Sequence, residues 1–116
     1  MLNKVMLIGR LGKDPEMRYT PQGSPVTTFS VATERSWRDG EGQLHKETEW
    51  HAIVVWNKLA EMCHEHLRRG SRIYVEGRLK SRSWEDDQKA THYRTEVIAE
   101  DVIFLERQRA TPSVEE

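Results

Sequence analysis

In the run Arg78-Leu79-Lys80-Ser81-Arg82-Ser83-Trp84, a cation or an indole stands at every second position. Side chains of a β-strand alternate between its faces, so Arg78, Lys80, Arg82 and Trp84 project together. The opposite parity, Ile73, Val75, Gly77 and Leu79, reads as the inside of a barrel. A second run places Trp50 and Trp56 on one parity with Ala52 and Val54, while Ile53 and Val55 face the other way. Cations interleaved with flat aromatics match the two features that every single-stranded polynucleotide offers, a phosphate chain and unstacked bases with open π faces. A lone Trp is more often a core or interface anchor. Trp37 and Trp84 depart from that pattern because both lie among Arg and Ser near turns, where a core residue would be badly placed, whereas Trp50 fits either role.

Bulk charge does not supply the attraction. The 116-residue chain has 18 Lys and Arg against 19 Asp and Glu, a formal net charge of −1. The cations are segregated instead: from Arg68 to Trp84 stand Arg68, Arg69, Arg72, Arg78, Lys80 and Arg82 against Glu76 alone, six minus one, or +5.

Catalysis finds no support in the motifs. There is no phosphate-binding Gly-rich loop ending in Lys-Ser or Lys-Thr and no nucleophile elbow. His64 and His66 stand two apart on a helical stretch, so they point about 200° apart rather than toward one metal. Cys63, the single cysteine, falls on the apolar stripe of that helix as a structural thiol. No metal, cofactor or internal disulfide is therefore expected, and one cysteine suits a reducing cytoplasm. Apolar runs such as Ile53 to Trp56 are only strand-length, so no membrane span is expected, and Asn3 to Ile8 enters a strand pattern at once without a secretory leader.

The elements that must position these residues follow from periodicity. Strands are expected over 3–11, 26–35 and 47–56, with loop chemistry over 12–23 around a short Met17-Arg18-Tyr19 segment and a hairpin tip at 39–42. Leu59, Ala60, Cys63 and Leu67 then recur at helical spacing behind Asn57 as N-cap, with Gly70 after the last turn. Strands return over 72–84 and 93–105, separated by a polar loop at 86–90. Three strands, a helix and two strands in one domain predict an all-β fold with one short helix: the five-stranded Greek-key OB-fold barrel with the helix between strands three and four. The domain is expected over 1–107, with 108–116 as a short flexible end and no internal repeat. Both parities of the first strand are apolar, Val5, Leu7 and Leu11 on one and Met6 and Ile8 on the other, which points to a covering subunit.

Ordered motifs add a resemblance. Residues 3–19, running Asn3-Lys4-Val5-Met6-Leu7-Ile8-Gly9-Arg10-Leu11-Gly12-Lys13-Asp14-Pro15-Glu16-Met17-Arg18-Tyr19, resemble the N-terminus of bacterial single-stranded DNA-binding proteins. So do Thr48-Glu49-Trp50-His51, Lys58-Leu59-Ala60-Glu61 and Tyr74-Val75-Glu76-Gly77-Arg78-Leu79, and the similarity covers about residues 2–106. The resemblance implies base stacking at Trp37, Trp50, Trp56 and Trp84, with Trp56 where the family commonly has Phe, and phosphate contacts from Lys4, Arg18, Arg38, Lys58, Arg69, Lys80 and Arg82. It also implies a homotetramer with Val5, Leu7, His51 and Tyr74 at or near subunit contacts, and work on single-stranded DNA in replication, recombination and repair at the nucleoid. A primosome-type adaptor of the same fold, acting mainly through protein contacts, is the alternative, and four tryptophans among cations favour DNA. The family's acidic tip ending in Pro-Phe is not matched by Pro112-Ser113-Val114-Glu115-Glu116, so recruitment of replication and repair enzymes is not expected from this sequence.

Overall fold

Alternating β-branched and aromatic residues build six strands among the described residues, β1 (Val5–Leu11), β2 (Glu16–Tyr19), β3 (Pro25–Arg38), β4 (Leu44–Trp56), β5 (Arg72–Glu85) and β6 (Thr91–Glu106), with one helix, α1 (Asn57–His66), between β4 and β5. The computed structural model describes residues 1–106, and the expected polar end at 108–116 lies outside them. The strands hydrogen-bond in the order β1-β5-β6-β4-β3, and β1 returns to pair with β3, which closes a five-stranded barrel. On β3, β2 pairs at Pro25–Thr28 and β1 at Val31 and Ala32.

Two glycines permit the closure. A Cβ on Gly9 would sit 2.2 Å from the Ala32 carbonyl oxygen where β1 crosses to β3. One on Gly77 would sit 2.1 Å from the Ile98 carbonyl oxygen. Beside Gly77, β6 spends an extra residue, because Glu76 pairs with Asp101 and Gly77 with Ala99, and this bulge coils the two strands tightly.

The barrel interior is aliphatic. Val31, Ile53, Val55, Ile73 and Val75 are fully buried, with Leu11, Phe29, Val97 and Ala99 around them, and each fully buried Val or Ile contributes about 1.5–3 kcal/mol. Ala60, Cys63 and Leu67 from α1 and the turn after it join the same cluster. The fully buried Thr27 satisfies its hydroxyl by donating to the Ala60 carbonyl at 2.8 Å, which ties β3 to the helix. Burial pushes the Cys63 thiol up to about 12, so thiolate is scarce at neutral pH. Ellman's reagent is therefore expected to leave Cys63 unmodified in the native protein and to label it stoichiometrically in denaturant; rapid native labelling would contradict this burial.

In β1, Val5 and Leu7 are half-buried and pack against the core, and the outward parity is Met6 and Ile8, 63% and 52% exposed. Several expectations about the elements need correction. Leu79 is 48% exposed, not interior: it lies past Gly77, where β1 stops pairing with β5, although its partner Val97 still pairs with Ile53 of β4. Asn57 adopts a left-handed φ of 62°, which Asn tolerates, while Trp56 takes the N-cap position without a side-chain cap bond. The helix ends at His66, and Gly70, at φ 88°, lies in the turn that follows. The Met17 segment is a true strand, β2, and β3 and β4 run on to Arg38 and back to Leu44.

Candidate nucleic-acid interface

The β3–β4 and β5–β6 hairpins project beyond the barrel as long arms. In the first, Trp37 stands opposite His45, and the rings stack at 5.4 Å between centroids with 18° between planes. The guanidinium of Arg35, two residues back on the same face, lies 4.6 Å from the indole centroid. In the second arm Trp84 stands opposite His92 at 5.5 Å and 23°, with Arg82 at 5.0 Å. Such cation–π and stacking contacts hold an indole upright while leaving it in solvent.

The same chemistry closes both tips. One oxygen of Asp39 accepts the backbone N–H of Glu41 and Gln43, and the other lies 2.8 Å from His45 Nε2. Asp86 does the same with the N–H of Gln88 and Ala90 and with His92 Nε2 at 2.8 Å. The histidine bond first, and the backbone bonds after it, hold both carboxyls below the usual carboxylate range.

Between the barrel wall and β2 runs a groove of about 600 Å³, lined among others by Arg18, Trp56, Arg82, Arg94 and Glu96 with Phe29 and Val54. It brings Arg18, Trp56 and Arg82 to one surface, and Arg82 links it to Trp84. Arg78, Lys80, Arg82 and Trp84 are all exposed on β5. Arg38 reaches back to the Gly42 carbonyl at 2.8 Å in the first arm tip. The Trp50 ring lies across Gly12, where an added Cβ would fall 2.4 Å from Cζ3, and is outside the groove lining.

Other expected residues stand elsewhere. Lys4 pairs with Glu76 at 2.9 Å, and the Tyr74 hydroxyl donates to the same carboxylate at 2.6 Å. The Tyr74 hydrogen bond, then Lys4, lowers the Glu76 pKa, and Glu76 raises that of both partners. Lys58, in the first turn of α1, is exposed, and so is Arg69, whose backbone N–H donates to Asp14 at 2.8 Å; neither side chain lines the groove. Half-buried His51 lies 2.9 Å from the Thr33 hydroxyl. Arg35, His45, His92 and Arg94 belong to the site without being singled out by strand alternation, although Arg-Ser-Trp is followed by Asp and His at the same offsets in both hairpins. Among the described residues no group of three or more His, Cys, Asp or Glu could hold a metal ion, and no helix is long and apolar enough to cross a membrane.

Comparisons with known proteins bear on this surface. Residues 2–105 match the Single-strand binding protein family. The Single-stranded DNA-binding protein 1 of Chlorobaculum tepidum is 48% identical over 105 residues, which is 90% of this chain and 65% of that protein, so the chain spans just under two thirds of that relative. Among solved structures, a Plasmodium falciparum SSB in complex with ssDNA superposes with a TM-score of 0.85 at 39% identity, over 91% of this chain and 97% of the other. A deletion mutant of the single-stranded DNA binding protein from Thermus aquaticus gives 0.79 at 37% identity, over 90% and 51%. With a closed barrel, a short helix and a family match that runs from β1 into the end of β6, the chain belongs to the single-strand binding protein family.

Proposed function

We propose that this chain binds single-stranded DNA without sequence preference, stacking bases on Trp37, Trp50, Trp56 and Trp84 and engaging phosphates through the cations around them. One observation carries the reading: all four tryptophans are exposed, by 37%, 59%, 41% and 41% in that order, in a protein whose buried core is mostly aliphatic. Indoles are ordinarily buried for most of their surface, and bracketing them with Arg35, Arg82 and Arg18 gives the interleaving that unstacked bases and phosphates require. The names of the relatives, which mention single-stranded DNA, support the same ligand.

The reading extends to the Greek-key OB topology and to a role in protecting single strands during replication, recombination and repair. It also extends to self-association, as a homotetramer. Ile8, Tyr74 and Ile103 lie in register across β1, β5 and β6, and with Met6 they form an outward apolar row that a second copy would cover. The phosphate-contact set is Arg18, Arg38, Lys80 and Arg82 near the groove and arms, with Lys4, Lys58 and Arg69 on the flanks.

Equilibrium binding to oligo(dT) and to a duplex of equal length tests the reading. Tight, strongly salt-dependent binding to the single strand with far weaker duplex binding is the expected result. Equal affinity for both, or no binding, would overturn it.

A further inference from the structure

Stacking alone does not account for what the two arms share. Arg-Ser-Trp, any residue, Asp and then a His six positions on occur at 35–45 and again at 82–92. The two copies fold alike, down to the Asp–His separation of 2.8 Å and the left-handed Gly42 and Lys89 at equivalent places in the tips. An ionised carboxylate only accepts, so each Nε2 carries its hydrogen and Nδ1 is the nitrogen that gains or loses a proton.

Charge is also matched. Over 35–47 the cations are Arg35, Arg38 and Lys46 and the acids Asp39, Glu41 and Glu47; over 82–94 they are Arg82, Lys89 and Arg94 against Glu85, Asp86 and Asp87. Each arm is thus neutral apart from one histidine, whose protonation makes it net positive.

We propose that His45 and His92 are proton-controlled elements of the DNA surface, positioning the arm tryptophans in either state and turning each arm into a phosphate-attracting arm when protonated. The proposal rests on the single-strand binding argued above. The groups facing His45 are Asp39 from the tip, Trp37 and Arg35 from β3, and Glu47 on its own strand, with Arg35 and Glu47 3.9 Å apart. Those facing His92 are Asp86, Trp84 and Arg82, and on its own strand Arg94 and Glu96, with Arg82 and Glu96 3.5 Å apart. The histidine bond first, and the backbone bonds after it, favour the ionised form of both aspartates. Aspartate and indole are present with or without DNA, so it is the phosphate that couples proton uptake to binding.

The test is the affinity of the full chain for a labelled oligo(dT), with a dye insensitive to pH, measured against salt at about pH 8 and about pH 5.5. One added phosphate contact steepens the salt dependence on a single strand by about 0.7 and strengthens binding about fivefold at about 0.1 M salt relative to 1 M. The wild type is expected to show that gain on acidification for each arm. The double variant His45→Gln/His92→Gln keeps a side-chain donor for each aspartate but loses the ring stack on each indole and cannot become charged, so whatever affinity it retains at the higher pH, most of its gain on acidification should be lost. An unchanged pH gain and salt slope in the double variant would overturn the proposal and leave the binding reading intact. Absence of oligo(dT) binding at every pH would overturn both.

Discussion

Replacing Trp37 and Trp84 together by Ala is expected to weaken oligo(dT) binding by about 2–6 kcal/mol, because each base stacked on an aromatic contributes about 1–3 kcal/mol. Both indoles stand on arms outside the barrel, so the thermal midpoint should hardly move, and the loss belongs to the interface. The salt slope should stay near the wild-type value, since the variant removes no cation. The deficit should also be similar for oligo(dT), oligo(dC) and mixed sequences, because every base has a π face. Anisotropy titrations at fixed salt measure it, and a loss confined to one sequence would contradict stacking.

Gly77→Ala carries the second large effect, on stability. Its Cβ would lie 2.1 Å from the Ile98 carbonyl oxygen and 2.9 Å from that carbonyl carbon, both backbone, so neither can swing aside. Forcing β5 and β6 apart beside the β6 bulge is expected to cost about 3 kcal/mol or more, at the upper end of core overpacking. For a barrel of this size that lowers the thermal midpoint by about 10 °C or more. Gly40→Ala is the control: nothing lies within 4 Å of the position its Cβ would take, and its stability should stay within about 0.5 kcal/mol of wild type. Urea or thermal unfolding by circular dichroism distinguishes the two substitutions, and a neutral Gly77→Ala would show that the close approach is relaxed in solution.

How far the sequence can be read depends on whether a pattern is local. The alternation of Arg78, Lys80, Arg82 and Trp84 is a local signal, and those residues share an exposed face. The aliphatic parity of Ile53, Val55, Ile73 and Val75 likewise lies inside the barrel. Alternation does not orient β1, where both parities are apolar; only its pairing with β5 and β3 turns Val5 and Leu7 inward and Met6 and Ile8 outward. Leu79 keeps the interior parity but lies past Gly77, where β1 stops pairing with β5. Residues 36–38 and 44–46 fall outside the strands that periodicity predicts, yet they are strands in which Trp37 stacks on His45 and Asp39 gathers the tip. Those stabilising contacts join residues whose partnership depends on hairpin register, which propensity does not supply. The repeated Asp–His pair is hidden for the same reason: of the eleven positions in each copy, the shared residues are too few to register as a repeat until the hairpins are superimposed.

If the exposed tryptophans are the DNA platform, their own fluorescence must respond when DNA binds. Titrating the wild-type chain with poly(dT) at low salt should quench most of the tryptophan emission to a sharp stoichiometric endpoint, reversed by added salt. Tight binding that leaves the emission unchanged would contradict the claim, because the indoles would then not be stacked on bases.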